Sequence, residues 1–413
     1  MSSTGSLTTT FCSWPNIDTV YDNKPNENTN NNSIGVIPRS LLDQLIQDHH
    51  AIYHMEHRDQ PNLLARTLVA LHELGADQDQ LINGYYKVYP DLVPLLQTSV
   101  EQRVLTDDSW QEYLGDLTYY RTYLSFFQQK IEEFGIDQAI QSYFFDGPLS
   151  KSIGSQLQPV VHMVFGIEYD MPDVVTQGLA YLATTFVNVE PLINQVVSSE
   201  YQYPMNTTYI EYENLLFDMV AADPRFDGRM DGTNTFHSAL KVLIKSQHTL
   251  LKTYMNMMTV TPTQQDLVTL ATRLIPCTKQ AHRLDWFLGG GQLLASALAI
   301  QYLGQRYNNI NDENHKKLAR LQFLVTLCTY IVQGRPSPSP HHHSLIPQED
   351  WTSCASTIIA SGDPKSILIM QSLVKAHRLY GDDEGYLDIA NFIADFVNAE
   401  GGAWCKTDDR CVR

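Results

Sequence analysis

The feature that most constrains the fold is a helical spacing of apolar residues, which begins at Pro38 and continues almost to the end of the chain. Leu64, Leu68 and Leu71 illustrate it, and Phe236–Met258 is expected to form one long helix. Apolar residues three and four positions apart form one face of an α-helix. Alternation with a period of two does not persist over any segment. The pattern predicts an all-α fold, and the lack of a fixed repeat period makes its helical arrangement irregular.

Composition divides the chain into one large helical domain with a tail at each end. Residues 1–37 are rich in Ser, Thr and Asn and carry little apolar surface, which predicts a disordered N-terminal tail. We expect one irregular helical domain over residues 38–400 and a short polar tail over residues 401–413. Hydrophobic residues make up 43% of the 413 residues, which is enough apolar surface for a sizeable core.

The chain is strongly acidic, with 46 Asp and Glu residues against 28 Lys and Arg residues and a formal net charge of −18. Such a charge repels phosphate backbones and anionic lipids, so we expect no nucleic-acid or membrane partner. No apolar run reaches the ~18–20 residues of a membrane span, and the N-terminus lacks a secretory signal pattern. Scattered cysteines predict reduced thiols and a cytoplasmic location, with a Cys405–Cys411 loop as the alternative. The oligomeric state does not follow from the sequence.

A single histidine, His162, lies inside the most apolar stretch of the chain, Gln156–Tyr181. A buried imidazole without a hydrogen-bond partner costs roughly 2 kcal/mol or more. His162 is therefore either a hydrogen-bonded core histidine, which is the more common case, or a metal ligand or base in a closed pocket.

Five histidines lie close together between His49 and His72. His49 shares the apolar stripe of its predicted helix and is expected to face inward. His50 and His54 are four residues apart, a spacing that can bind one metal from a helix, although solvation is the more common state of such a face.

Lys375 is the second unusual residue, because it follows the almost wholly apolar run Ile367–Val374. A lysine in this setting either extends to water or has its pKa lowered by desolvation. A neutral amine acts as a base, or it adds carbon dioxide and presents the carbamate oxygens to a metal. Extension to water is the more common outcome.

Segments that carry these residues resemble the questin oxidase-like family of fungal polyketide metabolism. The most specific match is Gln158–Tyr169, which resembles a His-Pro-x-x-His-x-x-x-Gly-x-Glu-aromatic signature. Four further segments also resemble family motifs: Leu45–His49, Leu68–Ala76, Leu284–Leu288 and Val374–Leu379. Together the five segments spread over most of the chain.

The resemblance implies an all-α oxygenase that uses molecular oxygen on an aromatic small-molecule substrate, a polyketide such as an anthraquinone. The implied outcome is Baeyer–Villiger-like or ring-opening, with NADPH and a histidine-bound non-haem iron, Fe(II), as the implied cofactors. At matching positions the chain keeps His49, His162 and Lys375, which are therefore the expected catalytic residues. The same three residues are the expected metal ligands, with His54 added because it lies near His49 in the sequence.

The chain departs from the family pattern at several histidines. The family run His-Asn-His-x-x-His-His falls on Pro61–Thr67, where no histidine remains, and the leading histidine of the central signature is Gln158. Two alternatives to an oxygenase therefore stay open. One is a catalytically degenerate family member that binds aromatic small molecules. The other is a helical scaffold that binds protein partners through its acidic surface.

Overall fold

The computed structural model describes residues 42, 45–46, 52–57, 60–95, 104–194, 211–226, 235–258, 261–277, 283–307, 312–337, 349–381, 385–399 and 402–405. Within these residues the architecture is helical, which confirms the predicted all-α class. The α-helices are α1 (Leu64–Glu73), α2 (Gln78–Val88), α3 (Tyr120–Phe134), α4 (Ile136–Ala139), α5 (Gln158–Glu168), α6 (Pro172–Thr184), α7 (Glu190–Ile193), α8 (Tyr212–Asn214), α9 (Phe236–Ser246), α10 (His248–Met257), α11 (Gln264–Leu274), α12 (Trp286–Gly289), α13 (Gln292–Arg306), α14 (Asp312–Val332), α15 (Trp351–Ser361), α16 (Pro364–Tyr380) and α17 (Tyr386–Asn398). The predicted tail over residues 1–37 lies outside the described residues.

Short elements connect the helices. Strands β1 (Glu56–His57) and β2 (Gln60–Pro61) pair antiparallel, and β3 (Arg283–Asp285) and β4 (Ala403–Cys405) pair parallel. The 3-10 helices are Tyr89–Asp91, Trp110–Tyr113, Leu117–Tyr119, Leu149–Lys151, Gly154–Leu157 and Pro224–Phe226, and the π-helices are Ile140–Phe145 and Leu215–Val220. Strand β4 lies in the predicted polar C-terminal tail, so part of that tail is paired with the helical domain. Its Cys405 is buried and disulfide-bonded, so the prediction of reduced thiols is wrong for this residue.

Helices α5 and α6 form the centre of the molecule. Residues 158–167 of α5 are all buried, as expected for a helix that is apolar on nearly every side. Glycines let the two backbones approach closely. A Cβ atom at Gly178 of α6 would lie 2.6 Å from Met163, and one at Gly166 of α5 would lie 2.6 Å from the backbone nitrogen of Val175. The close approach holds the polar residues of α5 in a fixed position against α6.

A left-handed turn leads into α5. Ser155, Gln156 and Leu157 have φ angles of 47°, 55° and 60°, and each such residue costs about 1–2 kcal/mol when it is not glycine. The side chain of Gln156 supports the turn, because its Nε2 donates to the backbone oxygen of Phe287 at 2.6 Å and to Thr329 Oγ1 at 3.2 Å. Gln292 donates to the backbone oxygen of Gln156 at 3.1 Å. The turn therefore fixes where α5 begins relative to α12–α14.

The prediction of one long helix over Phe236–Met258 is wrong. Gln247 interrupts it with φ −113° and ψ 22°, so α9 ends at Ser246 and α10 begins at His248. The spacing of apolar residues continues across this break, which is why the sequence does not reveal it. Thr235 caps the N-terminus of α9 by accepting from the backbone of Ser238, and this cap positions the two residues that follow it.

Two further sequence expectations concern membranes and thiols. None of the helices in the described part of the chain is both long and apolar enough to cross a lipid bilayer. Cys277, Cys328 and Cys354 are buried free thiols, as expected for cysteines inside apolar helical patterns. The cytoplasmic location itself stays a prediction.

Candidate active site

His162 lies in the middle of α5 and is 2% exposed. Its Nε2 is 3.1 Å from Oε1 of Gln177 on α6. A glutamine carbonyl oxygen only accepts hydrogen bonds, so Nε2 carries the proton in this contact. His162 thus joins α5 to α6 as a hydrogen-bonded core histidine, and its catalytic role stays a prediction.

Lys375 of α16 forms an ion pair at the C-terminal end of α5. Its Nζ donates to both carboxylate oxygens of Glu168, at 2.8 and 3.0 Å, and lies 5.6 Å from the ring centroid of Tyr169. Burial acts to lower the pKa of Lys375, but the negative charges of Glu168 and Glu73 outweigh it and raise that pKa above its usual value. The lysine is therefore an ammonium ion at neutral pH. The neutral amine and the carbamate that the sequence suggested do not fit this environment.

The expected site residues do not converge on one point. His162 and Glu168 are six residues apart on α5, which separates them by about 9 Å along the helix axis and places them on different faces. Lys375 bonds to Glu168, so its amine lies at the C-terminal end of α5, away from His162. His54 has its ring centroid 6.1 Å from that of Tyr120, and burial together with the charge of His57 lowers its pKa. His49 lies outside the described residues.

The implied iron needs several donor side chains that lie close together. Among the described residues, no three or more His, Cys, Asp or Glu side chains group closely enough to hold a metal ion. The imidazole of His162 is engaged by Gln177, and Lys375 is a cation bound to Glu168. The described residues therefore do not assemble the two-histidine and carboxylate-like set that non-haem iron needs, and iron ligation that includes His49 stays a prediction.

A different cluster of polar residues meets beside the start of α5. The Oε2 atom of Glu56 on β1 lies 3.3 Å from the Nε2 atom of His237 on α9. The hydroxyl of Tyr181 on α6 donates to the same Oε2 at 2.5 Å. The side chains of Glu56 and His237 are only 9% and 14% exposed. Three distant segments therefore assemble a carboxylate, an imidazole and a phenol in a nearly closed site.

The charges in this cluster are held in a defined protonation pattern. Burial acts to raise the pKa of Glu56, but His237 and hydrogen bonds from Ser155 and Tyr181 outweigh it and lower that pKa below its ordinary 4.5. Burial and the negative charge of Glu56 raise the pKa of Tyr181 well above its usual value. At neutral pH Glu56 is therefore a carboxylate and Tyr181 a phenol. The left-handed turn supplies Ser155 to both of them.

Aromatic rings form one side of the cluster. Phe236 and Phe287 stack with their centroids 3.9 Å apart and their planes 8° apart. The ring of His237 meets that of Phe287 edge-on, with centroids 6.2 Å apart. An edge-to-face contact of this kind restricts the imidazole orientation.

Arg66 of α1 extends the cluster towards α5. Its Nη2 donates to Oε1 of Gln158, the first residue of α5, at 2.5 Å. The residue is 6% exposed, and burial lowers the pKa of its guanidinium to about 10. The positive charge of Arg66 acts on the hydroxyl of Tyr181 in the opposite sense to the charge of Glu56. Arg66 and Glu56 therefore have opposite effects on the pKa of Tyr181.

The comparison with protein families matches this part of the molecule. A model described as questin oxidase-like covers residues 61–368, about three quarters of the chain. The chain belongs to the questin oxidase-like family. The match includes α1, α5, α6, α9 and α12, which carry most of the cluster.

Curated relatives are similar over a shorter region. The Baeyer-Villiger monooxygenase dmxR6 of Cryptosporiopsis sp. is 28% identical over 151 residues, 34% of each chain. The questin oxidase of Aspergillus fumigatus is 27% identical over 161 residues, 36% of each chain. The Baeyer-Villiger oxidase notM of Aspergillus sp. is 28% identical over 152 residues, which are 35% of this chain and 32% of the relative. The similarity therefore spans about a third of the length of these relatives.

Two departures from the questin oxidase-like pattern are neighbours in the structure. Arg66 and Gln158 both stand where the family resemblance places histidines, and they are 92 residues apart in sequence. They form one direct hydrogen bond, so the side chains at these two positions face each other. In this member of the family a cation and an amide occupy a position where two imidazoles are expected.

The sequence did not indicate Glu56, Tyr181 or His237 as functional residues. Glu56 stands among the histidines between His49 and His72, where an acid beside an apolar residue is a weak signal. His237 follows a helix cap and looks like any residue of a first helical turn. Glu56 and His237 are 181 residues apart in sequence, and no local pattern encodes a contact over that separation.

Proposed function

We propose that this chain is an oxygen-dependent oxidoreductase that acts on an aromatic polyketide of the anthraquinone type, with a Baeyer–Villiger-like or ring-cleaving outcome. Family membership supports the reaction class, since relatives carry the names questin oxidase and Baeyer-Villiger oxidase. The single observation that carries the proposal is the buried Glu56–His237–Tyr181 cluster beside the stacked rings of Phe236 and Phe287.

In this proposal the Glu56–His237 pair removes a proton from a phenol of the substrate. The carboxylate of Glu56 orients the imidazole and stabilises the imidazolium that forms. The resulting phenolate has a more electron-rich ring, which favours its reaction with oxygen. Tyr181 keeps its proton because its pKa is raised, so it serves as a hydrogen-bond donor in the site.

The overall reaction places one oxygen atom of O2 in the substrate and reduces the other to water with two electrons and two protons. NADPH as the electron source and Fe(II) as a cofactor are expectations that rest on the family resemblance. The protein itself binds the planar ring, orients the phenol and moves its proton. His162 and Lys375 as catalytic residues remain the rival assignment.

Oxygen uptake with a panel of hydroxyanthraquinones tests the proposal. We expect uptake and a product that has gained one oxygen atom, in parallel arms with and without NADPH and with and without anaerobic Fe(II) loading. His237→Gln should lower the rate by about 10²–10⁴-fold, the usual contribution of a general base. His315→Gln on α14 is the matched control and should retain the rate. A folded protein that takes up no oxygen in any arm would overturn the proposal.

A second candidate is a catalytically degenerate family member that binds aromatic small molecules. The replacement of family histidines by Arg66 and Gln158 favours it. In that case hydroxyanthraquinones should raise the melting temperature without any oxygen uptake. Elemental analysis of the purified and the Fe(II)-loaded protein separates a lost metal from a bound one.

A further inference from the structure

Arg66 is a buried cation whose one hydrogen-bond partner among the described residues is neutral. Its Nη2 bonds to the amide oxygen of Gln158, and its Nε has no hydrogen-bond partner among the described residues. No carboxylate of the described residues lies within ion-pair distance of it. Arg225 and Arg306 lie nearer the surface and pair with Asp223 and Asp137, whereas Arg320 is buried like Arg66 and its Nη2 also has no hydrogen-bond partner among the described residues. A buried charge without a counterion is unfavourable. At the start of α5, where Arg66 bonds to Gln158, it points to an anion of the ligand.

The charge of Arg66 persists at neutral pH. Burial lowers its pKa to about 10, which still leaves the guanidinium protonated at pH 7. The next residue, Thr67, is fully buried, and its hydroxyl likewise lacks a hydrogen-bond partner within the part of the chain that the structure describes. Two consecutive positions of α1 thus hold polar atoms without a hydrogen-bond partner in the described part of the chain.

We propose that Arg66 binds an oxyanion of the ligand, an ionised phenol or a carboxylate carried by a planar aromatic molecule. Gln158 holds one arm of the guanidinium, which leaves the remaining donors of its planar fork for the ligand. The aromatic character of the ligand rests on the proposed function, and the negative charge of the ligand is what this inference adds. A phenolate that accepts hydrogen bonds from the remaining donors of Arg66 would be stabilised by the guanidinium charge.

Binding measured without turnover tests this inference separately from catalysis. The probes are 1,3,8-trihydroxyanthraquinone, anthraquinone-2-carboxylate and the uncharged trimethyl ether of the first, all under nitrogen. The absorbance of the hydroxylated probe reports its ionisation. In wild type we expect the pKa of the bound phenol to lie about 1 unit or more below that of the free probe.

The variant Arg66→Gln removes the charge and keeps an amide of similar reach. We expect it to abolish the pKa shift of the bound phenol and to weaken binding of an anionic probe by about 10- to 100-fold. Binding of the trimethyl ether should change by less than about threefold. If binding of the hydroxylated probe depends on Arg66, the oxyanion is a phenolate. If binding of anthraquinone-2-carboxylate depends on Arg66, it is a carboxylate. Arg66→Lys should retain part of the effect, since a lysine keeps the charge without the fork.

Arg320→Gln is the matched control. Arg320 is also buried, and its Nε donates to the backbone oxygen of Ile193 at 2.7 Å, so its loss perturbs folding without touching the cluster. We expect it to lower the melting temperature but to leave the preference for anionic over neutral probes unchanged.

Three outcomes would overturn the inference. Arg66→Gln weakens all three probes equally, or it changes only the melting temperature, or wild type binds none of the probes. Charge-dependent binding without oxygen uptake would support the role of Arg66 and reject the proposed oxygenase.

Discussion

The two ends of helix α5 carry polar clusters of similar chemistry and different surroundings. Beside its first turn, Glu56 bonds to Tyr181 and His237, and all three are nearly closed off from solvent. At its last turn, Glu168 pairs with Lys375, and these side chains are 31% and 26% exposed. The second cluster continues to Glu73, which accepts hydrogen bonds from Tyr169 and Gln371.

The difference in burial decides what each cluster can do. A partly exposed ion pair such as Lys375–Glu168 is screened by water and contributes little beyond tethering α16 to α5. A buried carboxylate, imidazole and phenol interact more strongly and are held in fixed positions, which is what proton transfer requires. The strained, left-handed residues Ser155–Leu157 also adjoin the first cluster, at the N-terminal end of α5.

The largest effect that separates the two ends is expected for Glu56→Gln. The amide removes the negative charge that stabilises an imidazolium at His237 but keeps the shape of the side chain. We expect the turnover number of oxygen uptake to fall by about 10²–10³-fold, with the fold retained by circular dichroism.

Asp107→Asn is the matched control for Glu56→Gln. Asp107 likewise accepts from a tyrosine, Tyr143 at 2.7 Å, and pairs with a cation, Lys130 at 2.7 Å, but its side chain is 64% exposed. We expect it to retain the wild-type rate. Equal losses in the two variants would show that Glu56 acts through stability alone.

Asp285 sharpens the comparison through the pH dependence of stability. It caps α12, which carries Phe287, and burial raises its pKa from 3.8 to about 7 against the hydrogen bonds from Leu288 and Phe287. Because the folded pKa is the higher one, the folded state holds the proton, and stability falls as the pH rises from about 4 to about 7. In Asp285→Asn this part of the decline should be absent from melting curves. Parallel curves for the two proteins would contradict the buried state of this carboxyl.

The smallest effect is expected for Lys375→Met at the far end of α5. Loss of a partly exposed ion pair should change the free energy of unfolding by about 1 kcal/mol or less. The rate of oxygen uptake should stay within about threefold of wild type. A loss as large as that of Glu56→Gln would move the reaction site to this end and support the sequence-based assignment of Lys375 as catalytic.

Much of the fold was predictable from local patterns. The apolar spacing indicated the all-α class, and Leu64, Leu68 and Leu71, which illustrate that spacing, all lie in α1. The break at Gln247 was not predictable, because it leaves the apolar spacing of α9 and α10 unchanged. The pairing of β4 with β3 depends on contacts across more than 100 residues of chain, which spacing does not encode.

The candidate site was harder to predict because its charges are set by distant partners. The apolar run before Lys375 suggested a desolvated amine, but Glu168, 207 residues away, keeps it charged. The family motifs marked position 158 and the segment that contains position 66 as departures, without indicating that the residues there touch. The turn that presents Ser155 depends on hydrogen bonds from Gln156 to Phe287 and Thr329 and is not visible in the residues themselves.

The most direct test of the central claim is a crystal structure of the protein with 1,3,8-trihydroxyanthraquinone bound under nitrogen. We predict that the planar ring lies beside Phe236 and Phe287, with a phenolic oxygen within hydrogen-bond distance of His237 or Arg66. A ligand bound instead against Lys375 and Tyr169, at the C-terminal end of α5, would contradict the account.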